Sequence, residues 1–154
     1  MFSLIVAYDE DRVIGYKGSI PWHLSEDLKQ FKAHTINKRI VMGNNTFKSI
    51  GKPLPNRHTI IITKNKKEDT SDVSYVSDLE PFLKENENTD EEIMICGGAS
   101  IYKEALPYCK KLYISLVDGK HTGDTYFPDF DLNNYELVNQ TKYDGFTLLE
   151  YKKS

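Results

Sequence analysis

Cysteine is scarce in this sequence. The two present, Cys96 and Cys109, show neither a metal-ligand spacing nor a disulfide framework, and a reducing, cytoplasmic location follows as the expectation. No apolar run approaches the ~20 residues needed to cross a bilayer, so no membrane association is expected. The opening Met1–Tyr8 reaches Asp9-Glu10-Asp11 without a basic leader or a small-residue cleavage site, and is not expected to be a signal peptide. Charge of one sign is also missing: 20 Lys and Arg stand against 23 Asp and Glu, a net of −3 with both signs mixed along the chain. Such a surface is not built to neutralise a nucleic-acid backbone, although a local cluster can still hold a small anion. Internal repeats and interdomain linkers are absent. What remains is an ordinary globular composition in 154 residues, 39% hydrophobic and 28% charged, which suits one domain over residues 1–154. A monomer is the default.

Short β-rich runs alternate with helical patterns. Strands are expected at Ser3–Tyr8, Arg39–Met42, His58–Thr63, Val73–Val76, Glu92–Cys96, Lys111–Val117, Tyr135–Gln140 and Phe146–Tyr151. Helices are expected near Ser25–Thr35, Asn45–Ile50, Asp78–Asn86 and Ser100–Leu106, with Glu85–Glu92 an exposed acidic loop. This order predicts an α/β fold: a mostly parallel eight-stranded central sheet with four helices on its two faces. Thr141–Gly145 joins the last two strands into a C-terminal antiparallel hairpin. In open sheets of this kind ligands bind beyond the carboxyl ends of the strands.

Five segments carry candidate chemistry. Leu24, Leu28 and Phe31 recur on one helix face, and Asp27 lies on that face too. Ser25 as a cap and Asp27 as a first-turn charge is the plain reading. A carboxylate beside an apolar stripe, however, loses hydration and has its pKa raised, which suits proton delivery. Glu92–Tyr102 reads as a buried strand, the pair Gly97-Gly98, then a helix start. It fits either a tight connection or a phosphate cradle, and it matches neither G-x-G-x-x-G nor the P-loop. Arg39–Phe47 repeats the arrangement with one glycine, Gly43. The basic run Lys64-Asn65-Lys66-Lys67 ends a strand, and is either a solvated loop or a site for an extra phosphate. Gly15–Trp22 is either a surface loop or a lid that excludes water.

The order of these pieces resembles the dihydrofolate reductase family over nearly the whole chain. The matching strings are Asp11–Gly15, Pro21–Leu24, Asp27–Lys32, Val41–Gly43, Thr46–Arg57, Gly97–Tyr102 and Gly123–Pro128, of which Ser49–Arg57 is the most specific. The resemblance implies NADPH-dependent reduction of 7,8-dihydrofolate, with hydride reaching C6 of the pterin and a proton added at N5. Asp27 matches the one ionisable pocket residue, with Ser115 beside it and Trp22 holding a water. Ile5, Ala7, Leu28, Phe31, Ile50, Leu54 and Cys96 match the pocket lining. Arg57 matches the clamp on the substrate's glutamate α-carboxylate, where bidentate geometry favours arginine; its plain reading is a surface cation.

On the cofactor side, Gly43, Asn44, Asn45 and Thr46, with Gly97, Gly98, Ala99, Ser100, Ile101 and Tyr102, match the cradle for the pyrophosphate. Ala7, Ile14 and Cys96 fall near the nicotinamide, and Tyr102 lies beside the ring. Gly15, Gly18, Ser19 and Ile20 belong to a lid spanning Ile14–Leu24, held by Asp124 near Gly15. Ile62, Thr63, Lys64 and Ser77 match the far end of the cofactor. The family carries a cis peptide between the two glycines. Asn44 and Ser100 stand where the family often has arginine, so Lys64 is the cation expected at the 2′-phosphate. Cys96 replaces a branched or aromatic residue. His23 and the other histidines read as structural or surface residues. A reductase of another pterin or pyrimidine on the same fold, or a non-catalytic nucleotide-binding module, is the alternative; Arg57 argues against the first and the set Asp27, Ser115 and Trp22 against the second.

Overall fold

Strand β1 (Phe2–Tyr8) is almost wholly apolar and buried, as a strand covered on both faces of a parallel sheet must be. It pairs in parallel with β6 (Ile93–Ile95) on one edge and β7 (Cys109–Val117) on the other. Outward from β6 follow β3 (Arg39–Gly43), β4 (His58–Ile62) and β5 (Val73–Val76), all parallel. Beyond β7 lie β10 (Phe146–Lys153) and β9 (Tyr135–Tyr143), both antiparallel, so the order is β5-β4-β3-β6-β1-β7-β10-β9. The computed structural model describes residues 1–18 and 20–154. The predicted class holds: one mixed α/β unit with a mostly parallel eight-stranded sheet, a C-terminal antiparallel hairpin and four α-helices among the described residues.

Alternation along the strands divides the core in two. Leu4, Val6 and Tyr8 of β1 face one way with Val41, Ile60, Ile93 and Ile95, and are covered by α3 (Leu79–Asn86) and α4 (Ala99–Ala105). Ile5, Ile40, Met42 and Met94 face the other way, toward Phe31 of α1 (Ser25–Thr35) and Phe47 of α2 (Asn44–Ile50). Each fully buried large aliphatic side chain contributes about 1.5–3 kcal/mol. The period of 2 thus assigns every β1 residue to a face, and a one-residue slip would exchange both cores.

Helix α1 has the bounds read from its sequence, but its N-cap is Leu24 with no side-chain cap bond, so Ser25 is a first-turn residue and not the cap. The hairpin loop is tighter than expected: Thr141, Lys142 and Tyr143 stay paired with β10, and only Asp144 and Gly145 turn, Gly145 with a positive φ of 87°. The acidic stretch is not all loop. Glu85 lies inside α3, and Glu92 accepts a hydrogen bond from Ser3 Oγ at 2.6 Å and pairs with Lys38.

A second, two-stranded sheet went unpredicted. Here β2 (Val13–Gly15) pairs antiparallel with β8 (Thr125–Tyr126), tying the segment after β1 to the loop after β7. Gly123 seats this loop: a Cβ there would lie 2.2 Å from Val13 Cγ1, and Val13 is buried. Gly123→Ala should therefore cost about 1–3 kcal/mol, the usual overpacking penalty, read as a lower urea midpoint. An unchanged midpoint would mean that the loop is not held against Val13.

Candidate active site

The carboxyl ends of β1, β3, β6 and β7 meet on one edge of the sheet. Ala7 of β1 lies opposite Ser115 of β7, and Ser115 is buried. The first turn of α1 carries Asp27 onto this edge, where burial raises its carboxyl pKa above the ordinary value and the nearby Ser115 side chain partly offsets the shift. The two expected residues are thus brought near one another: a partly desolvated carboxylate and a buried hydroxyl. Trp22 packs with Ala7, Leu24 and Tyr143 against Val117, Phe146 and Leu148.

Ile5, Phe31, Leu54 and Cys96 gather in one cluster, while Leu28 is 54% exposed and Ile50 37%. Two large apolar side chains left open beside a packed wall are what an apolar ligand would cover. The Cys96 thiol is pushed up to about 12 by burial, so it is an inert packing group rather than a nucleophile.

Arg57 is not the surface cation of the plain reading. It is 8% exposed; Nε donates to the Pro55 carbonyl at 3.0 Å and Nη1 to Thr35 Oγ1 at 3.2 Å. Thr35 Oγ1 itself donates to the Phe31 carbonyl at 2.7 Å, which fixes the hydroxyl that receives the guanidinium. Among the described residues no carboxylate pairs with Arg57. Burial lowers its pKa, the direction expected of a desolvated cation lacking an anion.

The two strand–glycine–helix segments come together as well. Gly43 N–H donates to the Gly97 carbonyl at 2.9 Å, and the Gly97–Gly98 peptide is cis. Gly97 has φ +113°, and a Cβ there would lie 3.1 Å from the Tyr102 hydroxyl; a Cβ on Gly98 would lie 3.4 Å from Thr46 Oγ1. The backbone between β6 and α4 is therefore kept bare where Gly43 and Thr46 approach it, a cradle that fits a dinucleotide's phosphates. Ala99 and Ser100 open α4. Tyr102 is buried and its hydroxyl donates to the Ile5 carbonyl at 2.8 Å. Burial holds that phenol neutral, and the Asp27 charge acts in the same direction.

Other expected residues fare differently. Ile101 is 7% exposed and packs in the α4 core, its Cγ1 3.5 Å from where a Gly43 Cβ would stand, so its side chain supports the cradle from behind. Lys64 forms an exposed ion pair with Asp78, next to Ser77. Such pairs are worth at most ~1 kcal/mol, so Lys64 is readily exchanged to another anion. Ile62 ends β4, and Thr63 just beyond it donates its N–H to the Val76 carbonyl. On the lid, Ile14 packs on the core and Gly18 has positive φ. Ile20 is exposed, and Ser19 lies outside the described residues. Asp124 N–H donates to the Gly15 carbonyl at 3.0 Å, and its carboxylate accepts from Lys17 N–H at 3.0 Å. The lid's first half is thus held from the loop after β7.

Sequence reasoning missed Asp9 and His121. Asp9 sits just beyond β1 with its side chain 0% exposed. Burial works to raise its pKa, but donation from Val13 N–H, from the backbone and ring of His121, and from Asp11 N–H outweighs that and lowers it. A Tyr-Asp-Glu-Asp string reads as a surface turn, and the group that makes it otherwise lies 112 residues away.

The sequence model of the family described as "Dihydrofolate reductase" matches residues 1–152. The chain belongs to the dihydrofolate reductase family. It is 47% identical over 134 residues to the dihydrofolate reductase of Buchnera aphidicola subsp. Acyrthosiphon pisum, covering 86% of this chain and 82% of the relative. With that of Bacillus subtilis it shares 40% over 139 residues, 90% and 82% of the two chains. The solved dihydrofolate reductase from Enterococcus faecalis, complexed with NADP(H) and RAB-propyl, superposes with a TM-score of 0.89 at 34% identity, covering 100% of this chain and 96% of that one. As a dihydrofolate reductase it is an oxidoreductase with NADPH as cofactor.

The raised pKa of Asp27 carries a stability consequence. Its folded value lies above the unfolded one, so ionisation of Asp27 weakens the fold; that cost is present at neutral pH and gone below the ordinary value of 3.8. Asp27→Asn should unfold at higher urea than the native protein at pH 7, with the two converging in acid. A native protein more stable than the variant at pH 7 would contradict the desolvation of Asp27.

Proposed function

We propose that this chain reduces 7,8-dihydrofolate to 5,6,7,8-tetrahydrofolate, with protonation of N5 assisted by Asp27. The observation that carries the reading is a matched pair of incomplete groups. One is a desolvated carboxylate near the Ser115 hydroxyl; the other is a buried guanidinium with no carboxylate partner among the described residues, and Phe31 stands on α1 between Asp27 and Thr35, the residue that receives the guanidinium. A pterin has donors for the first, a glutamate tail has the anion for the second, and the benzoyl ring suits the walls.

Asp27 accepts hydrogen bonds from the pterin's amino group and ring nitrogen, which fixes the ring and raises the basicity of N5. Ser115 keeps that carboxylate oriented, and Trp22 holds a water near the acid from which the proton comes. Ile5, Ala7, Leu28, Phe31, Ile50, Leu54 and Cys96 exclude the remaining water. Arg57 clamps the α-carboxylate of the tail. Bound beside them, NADPH supplies the hydride that C6 receives. Gly43 to Thr46 and Gly97 to Ile101 hold its pyrophosphate, while Ala7, Ile14 and Cys96 meet the nicotinamide. The fixed Tyr102 dipole favours positive charge developing on that ring. Ile62, Thr63, Lys64 and Ser77 take the far phosphate, and Gly15, Gly18 and Ile20 close over the site.

The direct test is loss of NADPH near-ultraviolet absorbance on adding dihydrofolate, with an NADH arm. Rapid substrate-dependent loss is expected with NADPH and slower loss with NADH; a folded sample inert with both would reject the reading. Asp27→Asn should lower turnover by about 10²–10⁴-fold at neutral pH, the usual worth of a positioned acid, and by less in acid, where free substrate is already partly protonated. A loss equal at every pH would remove Asp27 from proton delivery. Arg57→Leu should weaken dihydrofolate binding by roughly 10–100-fold, the worth of charge-assisted hydrogen bonds, while barely changing affinity for a small pterin inhibitor without a glutamate. Unchanged dihydrofolate affinity would take Arg57 out of the site.

A further inference from the structure

Asp9, His121 and Trp22 form one continuous chain of contacts. Asp9 Oδ1 accepts from Asp11 N–H and Val13 N–H, both at 2.9 Å, which fixes the turn between β1 and β2. Asp9 Oδ2 accepts from His121 N–H at 2.6 Å and from His121 Nδ1 at 3.1 Å. An ionised carboxylate only accepts, so Nδ1 carries the hydrogen of this contact. Among the described residues Asp9 is the one charged group paired with the imidazole. The ring therefore hangs from a fully buried anchor by its own nitrogen and its own backbone, with little freedom to turn.

Its other neighbour is the Trp22 indole, at 5.1 Å between ring centroids and an interplanar angle of 63°. Trp22 is packed elsewhere against Val117, Phe146 and Leu148. The indole is thus held between a rigid core and an anchored imidazole, just ahead of the helix that presents Asp27. An aliphatic side chain at 121 would fill space there but would have no bond to fix its position. Asp124, on the same loop, holds the lid at Gly15 and Lys17. The loop from Asp118 to Asp124 therefore meets the lid near both ends, by two unrelated contacts.

We propose that His121 is a positioning residue for the protonation half of the reaction: pinned by Asp9, it fixes the Trp22 indole and through it the water beside Asp27. The proposal rests on the dihydrofolate reading above, in which Trp22 holds that water. His121 transfers no proton; it donates to Asp9 throughout.

Trp22 is the single tryptophan of the chain, so its emission reports one indole. The experiment compares the full chain with His121→Asn, whose amide keeps a donor for Asp9 but removes the ring, and with His121→Ala, which removes both. Acrylamide quenching of Trp22 in the ligand-free protein should increase in both variants. Turnover above pH 7 should fall about tenfold in both, a typical loss for a misplaced catalytic contact, with KM for dihydrofolate little changed and the deficit shrinking toward pH 5.5. His121→Asn should keep the native urea midpoint and His121→Ala should not, which separates positioning from folding. Unchanged quenching, a deficit equal at every pH, or a raised KM at unchanged turnover would overturn the proposal. Native protein with no dihydrofolate turnover would overturn the reading beneath it, whereas an active native protein with a pH-uniform deficit would overturn the proposal alone.

Discussion

A strand hydrogen-bonded on both edges and buried on both faces has nowhere to move, and β1 is that strand. Its register with β6 and β7 sets Leu4 and Val6 in one core and Ile5 in the other. Because the pairing is fixed, so is everything that hangs from the strand's last residues. The Ile5 carbonyl receives the Tyr102 hydroxyl, Ala7 faces Ser115, and Asp9 gathers the turn to β2 and the loop after β7. The site needs no rigid framework of its own, because it is the end of a strand that cannot slide.

Asp9 and Asp27 show how two carboxylates on one edge of a sheet come to differ. Both lose water on folding, which alone raises a carboxyl pKa. Asp9 receives three backbone N–H groups and a ring nitrogen, and its charge is stabilised despite complete burial. Asp27 has only the Ser115 side chain acting in its favour, and its charge is not compensated. The number of donors, rather than depth, decides the sign. A satisfied carboxylate is architecture; one left short of partners can take them from a ligand.

The parts legible in the sequence are those whose cause is local. The strands of the main sheet and helix α1 announce themselves through runs of β-branched residues and a 3.6-residue stripe, and their bounds fall within a few residues of those read. The blocks shared with the family carried Asp27, Arg57 and the glycine pair directly to the strand ends. The sheet of β2 and β8 was invisible because strands of three and two residues have no period to detect. The missing cap at Ser25 has a similar origin: a serine before a helix is a frequent cap, but whether its oxygen reaches an N–H depends on the entry angle, which Trp22 and Leu24 set by packing. The Asp9–His121 contact joins residues whose proximity is a property of the whole topology. No local chemistry at either position signals the other.

Arg57 brings out what the site costs the fold. Thr35 and the Pro55 carbonyl supply it with two acceptors, neither charged. A neutral acceptor solvates a guanidinium less well than the water it replaces, so the free protein holds a cation at one end and an anion at the other that are both under-compensated. Their mutual attraction does not remedy this, since they form no pair. A ligand complementary at a single end would relieve half of the imbalance while burying the other charge further. A ligand with hydrogen-bond donors at one end and a carboxylate at the other relieves both at once, and the two gains add because the same rigid body makes them. In the proposed reading, selectivity for a long, doubly complementary substrate follows from where the fold leaves its charges unfinished, which is the reverse of how it treats Asp9.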